Sequence, residues 1–405
     1  MMVPSDRDLR IDFLRGLALI VIFVDHVPAN VLSRFTPRAF GFSNAADMFV
    51  LLAGISAGLA YGPRSAQEGI RAILPRLWRR IAQIYSAHLA LLWISIGLIA
   101  PATLVFSRAE FIEREVPVLV QTDPLAAAWS SLALILQPRY LDILPLYVVV
   151  LLALPLFLLL ERAQRGAALV LSVAIWVLAE PIGLNLPSSR SSDGWYFNPF
   201  AWQLLFCIGL LGTYTIRHPT QGPRSHWLIA IAVAYVMLAF ALTASCGFRI
   251  AARFCVLGVP QSDVAHLAPW RIAHGLALVY LALVAIPDSA PWLLRYPARA
   301  LVTLGQNSLS VFCIGSLVSL LSAIALTVFG SGWRSQLLLN TAGPALLFAT
   351  AWWSNRRGRL ELRHAAAGPR SVLREVLALP AVGFGLFYAL TQRGDRLRAR
   401  RRLVT

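Results

Sequence analysis

The sequence predicts an all-α fold, a polytopic integral membrane helix bundle with about ten transmembrane helices and a cytoplasmic N-terminus. The 405 residues are 58% hydrophobic and only 14% charged, and their mean hydropathy is +0.67, unlike that of soluble domains. Apolar runs of about 17–24 residues recur, the length that crosses a bilayer core of about 30 Å. Alternating strand patterns, which a barrel would need, do not occur.

The predicted spans follow in order along the chain, and arginines cluster at their ends. They cover about 11–29, 45–62, 81–100, 141–160, 167–183, 198–216, 227–246, 270–287, 306–329 and 336–354. With the N-terminus inside, the inner connections carry eighteen arginines and the outer ones nine. This excess predicts that the N-terminus and the end of the tenth span are cytoplasmic. The net charge of +17 is therefore attributed to topology and lipid headgroups, not to nucleic acid.

The chain is expected to divide into a membrane domain, residues 1–355, and a basic cytoplasmic tail, residues 356–405. In the tail, residues 372–391 are apolar enough to span, yet arginine-rich segments lie on both sides. An eleventh span would put the last arginines outside, so an interfacial helix is preferred. In the long outer connection 101–140, the apolar stretch 126–137 is too short to cross and could be re-entrant or interfacial.

Two ionisable residues in the first span, Arg15 and His26, form the strongest functional signal. They are eleven residues apart, so their directions differ by roughly 20° and they share one helix face, about 16 Å apart along the axis. Asp12 and Asp25 flank the pair. Ionisable residues inside a membrane helix are costly and usually mark a site.

His26 is predicted to lie near the outer face, about 22 Å along the helix, where it could be a general base because histidine titrates near neutral pH. The alternative is an inert histidine at the membrane boundary. Asp25 points about 100° away from His26. Asp47 or Asp142, at the starts of the second and fourth spans, could instead orient the ring. Both could equally be helix caps.

Arg15 is predicted to lie roughly 6 Å inside the inner boundary. It could reach inner headgroups, pair with Asp12, or bind the phosphates or carboxylate of a cytoplasmic donor. The second span carries a small-residue face that includes Ala53, Gly54 and Gly58. Such a face favours close helix packing, and a narrow channel for an acyl chain would use the same feature.

Polar and aromatic residues gather at the predicted outer ends of several spans. Tyr140 precedes the fourth span, and Trp195, Asn198 and Gln203 flank the start of the sixth. An interfacial aromatic belt explains the aromatic residues, and a sugar-binding site explains aromatic and amide groups together. Arg271 and His274 share a helix face at i and i+3. The four cysteines show no metal-ligand spacing, so no metal is expected.

The order of these segments resembles the OpgC family. The similarity lies in RDLRIDFLRGLALIVIFVDHVPAN, TPRAFGFSNAADMFVLLAGISAG, YLDILPLYVVVLLALP, WYFNPFAWQLLFCIG, PWRIAHGLALVYLAL and GQNSLSVFCIGS, and it runs from about residue 7 to 325. OpgC proteins are inner-membrane succinyltransferases of osmoregulated periplasmic glucans and relatives of the integral-membrane acyltransferase family three. Arg15 and His26 match the first-helix motif of that wider group. Ala53-Gly54 stands where relatives often have Ser-Gly.

The resemblance implies a membrane O-acyltransferase of the bacterial inner membrane that uses acyl-CoA, with succinyl-CoA expected, as co-substrate and no tightly bound cofactor. The implied partners are a periplasmic glucan acceptor and the lipid bilayer, and homo-oligomerisation stays open. Alternatives are O-acetylation of another surface polysaccharide, or a transporter or flippase of glycan or acyl units. The expected catalytic residues are His26, Asp25 and Asp47, and Arg15 and Asp12 are expected at the donor. The expected acceptor-binding residues are Tyr140, Asp142, Trp195, Asn198, Gln203, Arg271 and His274.

Overall fold

The computed structural model describes residues 8–106, 120, 122–138, 140–217, 225–247, 264–287 and 290–367. The apolar tail segment 372–391 lies outside these residues, so the choice between an interfacial helix and an eleventh span stays a prediction. The chain divides into two compact units, Met1–Trp352 and Trp353–Thr405. In the second unit, the described residues, 353–367, are helical.

Helices form the regular structure of the described residues, in which no strand occurs. Each of the ten predicted spans coincides with one helix. Two short helices, α4 and α10, and the single turn of helix Pro37–Phe40 are additional. Apart from that single turn, the α-helices are α1 Leu9–His26, α2 Ala45–Glu68, α3 Leu74–Phe106, α4 Pro124–Leu132, α5 Ile143–Ala163, α6 Ala167–Ala179, α7 Pro199–Arg217, α8 His226–Gly247, α9 Pro269–Ala285, α10 Ala298–Gln306, α11 Ser308–Phe329 and α12 Trp333–Ala367.

Five helices, α2, α3, α5, α8 and α11, are long and apolar enough to cross a membrane, and α6, α7 and α9 are shorter apolar helices. The all-α fold is therefore confirmed among the described residues, and these five helices agree with a membrane protein, while the number of ten spans and the cytoplasmic N-terminus stay predictions. The first helix has 18 residues but carries Arg10, Asp12, Arg15 and Asp25. Its charges lower its hydropathy, so its membrane placement depends on burying them against other helices.

Glycines in α2 and α7 allow the backbones of these two helices to approach closely. A Cβ at Gly54 would collide with the backbone carbonyl of Phe206, and a Cβ at Gly209 with that of Leu51. Gly58 lies against Leu210 of α7 in the same way. The small-residue face of the second span therefore serves helix packing on α7, which supports the packing interpretation, while a narrow acyl channel against α1 stays a prediction.

Helix α1 makes a similar close contact with the short helix α10. A Cβ at Gly16 would collide with the backbone of Leu301, and one at Gly305 with the backbone of Asp12. Asp12 is buried at this contact. The contact fixes α1, and with it Arg15 and His26, against the helices that surround it.

The segment after α1 is tied to the first half of α12 by amide side chains. Asn30 and Asn340 exchange hydrogen bonds of 2.9 and 3.0 Å, and Gln336 donates to the carbonyl of Ala29 at 3.0 Å. Gln336 also accepts from the backbone N–H of Val31 at 3.2 Å. Because these groups satisfy one another, polar backbone can lie at the end of α1 without exposure to lipid.

The apolar stretch 126–137 forms most of α4 and the turn after it. The helix ends at Leu132, and the backbone N–H groups of Ile135 and Leu136 both donate to the carbonyl of Ser130, at 2.8 and 3.0 Å. The chain then enters α5 at Ile143. This short helix and turn bring Pro138, Tyr140 and Leu141 towards the end of α1.

Candidate functional site

His26, the last residue of α1, borders a small cavity. Its imidazole ring stacks on the phenol ring of Tyr140, with centroids 4.4 Å apart and planes inclined by 33°. The cavity has a volume of about 30 Å³ and is also lined by Ser95 of α3 and by Ser316 and Ser319 of α11. A space of this size holds one or two groups as large as a water molecule.

Polar atoms around this cavity have unused hydrogen-bonding capacity. Among the described residues, no hydrogen bond reaches the ring of His26, and the buried hydroxyls of Ser316 and Ser319 have no partner. Buried polar groups are normally satisfied. The cavity is therefore a place where a polar ligand group would find both hydrogen-bond donors and an imidazole ring.

Asp25 is turned to the segment that follows α1. It accepts a hydrogen bond of 2.7 Å from the hydroxyl of Thr36, while the neighbouring His26 ring packs on Tyr140. This agrees with the expectation that the two side chains of consecutive helical residues point in different directions. The structure does not bring the Asp25 carboxylate to the imidazole ring.

Arg15 lies on the same helix as His26 but reaches a different neighbour. Its guanidinium donates to the hydroxyl of Ser56 on α2, and that hydroxyl donates to the carbonyl of Leu52 at 2.8 Å. Arg15 is not among the residues that line the His26 cavity. The structure thus places the pair on one helix without showing the shared cavity that their spacing suggests.

Asp47 forms a buried ion pair with Arg271 of α9, with 2.7 Å between the Asp47 Oδ2 and the Arg271 guanidinium. The two side chains are 0% and 5% exposed. Asp47 also accepts from the backbone N–H of Asn44 at 2.7 Å, which completes the capping box of α2. The capping interpretation is confirmed. The idea that Asp47 orients His26 is not supported, because its hydrogen bonds go to Arg271 and Asn44.

His274 packs beside this ion pair, one turn after Arg271. Its Nδ1 lies 2.6 Å from the hydroxyl of Ser43, and its ring covers Gly41, where a Cβ would collide with it. Arg271 and His274 do share a face, as their spacing predicts. Both side chains are buried against the start of α2, and their described contacts hold that segment in place.

A second, larger cavity of about 220 Å³ lies among polar loop residues. Two of the expected acceptor-binding residues, Asp142 and Trp195, line it, together with Arg190, Asp193 and Tyr196. Tyr196 is half exposed, and the partial burial of its phenol raises its pKa. The phenol therefore stays protonated and can donate a hydrogen bond, and its ring offers an exposed apolar face that can contact a sugar ring. The indole of Trp195 is buried and donates to the carbonyl of Pro187 at 3.0 Å.

Asn198 and Gln203 have their hydrogen bonds inside the fold. The Asn198 side chain donates to the carbonyl of Leu184 at 2.7 Å and accepts from the N–H of Phe200 at 3.0 Å, at the start of α7. Gln203 accepts from the hydroxyl of Ser172 at 2.6 Å and donates to the carbonyl of the same residue at 2.8 Å. Neither lines the larger cavity, so their contacts indicate a structural role.

The segment Tyr140-Leu141-Asp142 contributes to both cavities. Tyr140 and Leu141 line the His26 cavity, whereas Asp142 lines the larger one. Tyr140 has a φ of +70°, a left-handed conformation that is costly for a residue other than glycine. Such a conformation persists only where the surrounding structure holds it. Residues 140–142 form one short stretch of backbone that borders both cavities.

Sequence reasoning missed Ser316 and Ser319 as site residues. Serines in an apolar span are common packing residues, so their spacing of three in α11 gave the only signal. His88 of α3 is fully buried, and both its ring nitrogens are without a partner among the described residues. The residues that the structure describes contain no group of three or more His, Cys, Asp or Glu residues that could hold a metal ion.

Comparison with protein families gives a match over most of the chain. The family model described as OpgC protein matches residues 7–359, which include all twelve expected site residues. No curated protein and no solved structure matches the chain. Because the matched region covers most of the 405 residues, the chain belongs to the OpgC family.

Proposed function

We propose that this protein is a membrane-embedded O-acyltransferase that moves a succinyl group from cytoplasmic succinyl-CoA to hydroxyls of a periplasmic glucan. The name of the OpgC family supports a glucan succinyltransferase. Five helices long and apolar enough to cross a membrane agree with an enzyme that connects two compartments. The observation that carries the proposal is His26, whose ring borders a small cavity and has no hydrogen bond among the described residues.

In this proposal His26 acts as general base. One ring nitrogen takes the proton from a glucan hydroxyl, and the hydroxyl oxygen attacks the carbonyl carbon of the thioester. A C–O bond forms as the C–S bond breaks, and the leaving thiolate takes the proton from His26. The stack with Tyr140 holds the imidazole in one orientation, which a proton transfer requires.

The larger cavity is the proposed acceptor site. Tyr196 offers a ring face there, and Asp142 and Asp193 offer hydrogen-bond acceptors for sugar hydroxyls. The stretch 140–142 lines both cavities.

The proposed donor contact is Arg15. With the N-terminus cytoplasmic, Arg15 lies nearer the inner face than His26, and its planar guanidinium suits phosphate or carboxylate oxygens. The hydroxyl of Ser56 accepts its hydrogen bond in the structure. A bound donor would take over that bond or add to it, since a guanidinium has five N–H donors.

Acetyl transfer and transport of glycan or acyl units are the alternatives. Succinyl and acetyl products differ in charge and mass, so mass spectrometry of the glucan separates them. A transporter would move its cargo without forming a covalent product. The unbonded polar atoms around His26 favour the enzyme, because a transport path needs no base beside a cavity of about 30 Å³.

The experiment uses purified full-length protein, labelled succinyl-CoA and glucan. The native protein should transfer label to glucan, and His26→Ala should lower the rate by at least about 10²-fold, as loss of a general base does. The matched control is His226→Ala, because His226 is exposed at the start of α8. Normal transfer by His26→Ala would exclude the base role, and no transfer by the native protein would overturn the succinyltransferase.

A further inference from the structure

Two serine hydroxyls stand out beside His26. Ser316 and Ser319 lie three residues apart on α11, so they share one helix face, and both line the cavity that His26 borders. Their side chains are buried, with residue exposures of 9% and 3%. Neither hydroxyl has a hydrogen-bond partner among the described residues.

Two other hydroxyl residues of the same helix behave differently. Ser322 donates to the carbonyl of Val318 at 2.7 Å, and Thr327 donates to that of Ala323 at 2.9 Å. This bond to the carbonyl four residues back is the usual way to satisfy a hydroxyl in an apolar helix. Ser316 and Ser319 have the same option and do not use it. Their hydroxyls are therefore free to serve a group that enters the cavity.

We infer that Ser316 and Ser319 are oxyanion-stabilising residues that donate hydrogen bonds to the carbonyl oxygen of the acyl thioester. The inference rests on the proposed function. When the sugar oxygen attacks, the C=O bond becomes a C–O⁻ single bond and the negative charge settles on that oxygen. The two hydroxyls contact it without being consumed. The charge returns to a C=O bond as the C–S bond breaks and the thiolate takes the proton from His26.

The dimensions and surroundings of the cavity fit a carbonyl group. Its volume of about 30 Å³ accepts a carbonyl carbon and oxygen, while the rest of the donor stays outside. Leu141 and Ile99 supply apolar lining. Hydrogen bonds to a developing charge are strong in apolar surroundings, and donors already in place need no rearrangement during the reaction.

The test compares Ser316→Ala, Ser319→Ala and the double variant with Ser322→Ala. Ser322 is equally buried and on the same helix, but its hydroxyl is already bonded. Each single variant should lower kcat by about 10²-fold with KM for succinyl-CoA almost unchanged, because the contact strengthens only in the transition state. Ser319→Thr, which keeps a hydroxyl, should retain more activity than Ser319→Ala.

Two results would overturn the inference: a double variant with kcat near the native value, or an equal loss of kcat in Ser322→Ala. Where alanine variants fail to fold, the nearly isosteric Ser→Cys variants replace them. The cysteine thiol is a weak hydrogen-bond donor. If Ser316→Cys and Ser319→Cys both keep the native kcat, the oxyanion-stabilising role is again refuted. A further outcome separates this inference from the proposed function. If the native protein transfers succinyl groups and His26→Ala is inactive, but the double serine variant is fully active, the inference is overturned and the proposed function stands.

Discussion

The imidazole of His26 and the phenol of Tyr140 form a stacked pair with ring centroids 4.4 Å apart. His26 ends the first helix, and Tyr140 lies at a positive φ of +70° just before the fifth. The stack links two segments that lie far apart in the sequence. It also holds residues 140–142, of which Tyr140 and Leu141 line the His26 cavity and Asp142 lines the larger polar cavity.

This stack makes Tyr140 a testable positioning residue. Tyr140→Phe keeps the ring and should transfer succinate within about 3-fold of the native rate. Tyr140→Ala removes the stack, whose value of about 0.5–1.5 kcal/mol corresponds to a loss of about 2- to 13-fold in kcat. Steady-state kinetics with succinyl-CoA and glucan measures both. Equal activity of the phenylalanine and alanine variants would mean that the stack does not orient His26.

The buried ion pair of Asp47 and Arg271 should dominate the stability of the contact between α2 and α9. Asp47→Asn or Arg271→Met leaves the other charge buried and unpaired, so each should lower the free energy of unfolding by about 3–5 kcal/mol. Thermal unfolding of the purified protein in detergent measures the effect. The double variant Asp47→Leu/Arg271→Met should be less destabilised than the two single losses added together.

The matched control for this prediction is the ion pair of Arg64 and Glu68, one turn apart near the end of α2 at 3.0 Å. Its side chains are 32% and 53% exposed, so Arg64→Ala should cost at most about 0.5 kcal/mol. An Asp47→Asn variant as stable as Arg64→Ala would show that the buried pair contributes little.

Close packing of α2 on α7 predicts opposite effects at two glycines of one helix. Gly54→Ala places a Cβ against the backbone carbonyl of Phe206, so it should destabilise the protein by about 1–3 kcal/mol. A Cβ at Gly62 would meet nothing within 4 Å, and Gly62→Ala should stabilise the helix by up to about 1 kcal/mol. Unfolding temperatures in detergent separate the two. A Gly54→Ala protein as stable as the native one would contradict the packing.

Tyr196 and Asn198 are expected to have different roles, Tyr196 in binding the glucan acceptor and Asn198 in stabilising the fold. Tyr196 is half exposed in the larger cavity, so Tyr196→Ala should raise KM for glucan and leave the unfolding temperature unchanged. Asn198 caps the start of α7 by accepting from Phe200, so Asn198→Ala should cost about 1 kcal/mol of stability and leave KM for glucan near the native value. Glucan titrations and thermal unfolding test both. If Asn198→Ala raises KM for glucan without loss of stability, and Tyr196→Ala does not raise it, Asn198 and not Tyr196 binds the acceptor.

Hydropathy and helix periodicity determine much of this protein from the sequence by itself. Apolar length is a local property, and each predicted span coincides with a helix. The capping interpretation of Asp47 is confirmed in the capping box of α2, because a cap depends on residues only three apart. The small-residue face around Gly54 indicated close helix packing, because this face is set by residues close together in the sequence.

Only the tertiary structure decided which helices meet. Asp47 pairs with Arg271, 224 residues away, and the cavity of His26 is closed by Ser316 and Ser319 of α11. In a membrane protein, side chains that face lipid and side chains that face another helix are equally apolar, so the sequence pattern does not identify neighbours. The partners of polar residues were therefore set by packing, which brings distant segments together and leaves some hydroxyls bonded and others unbonded.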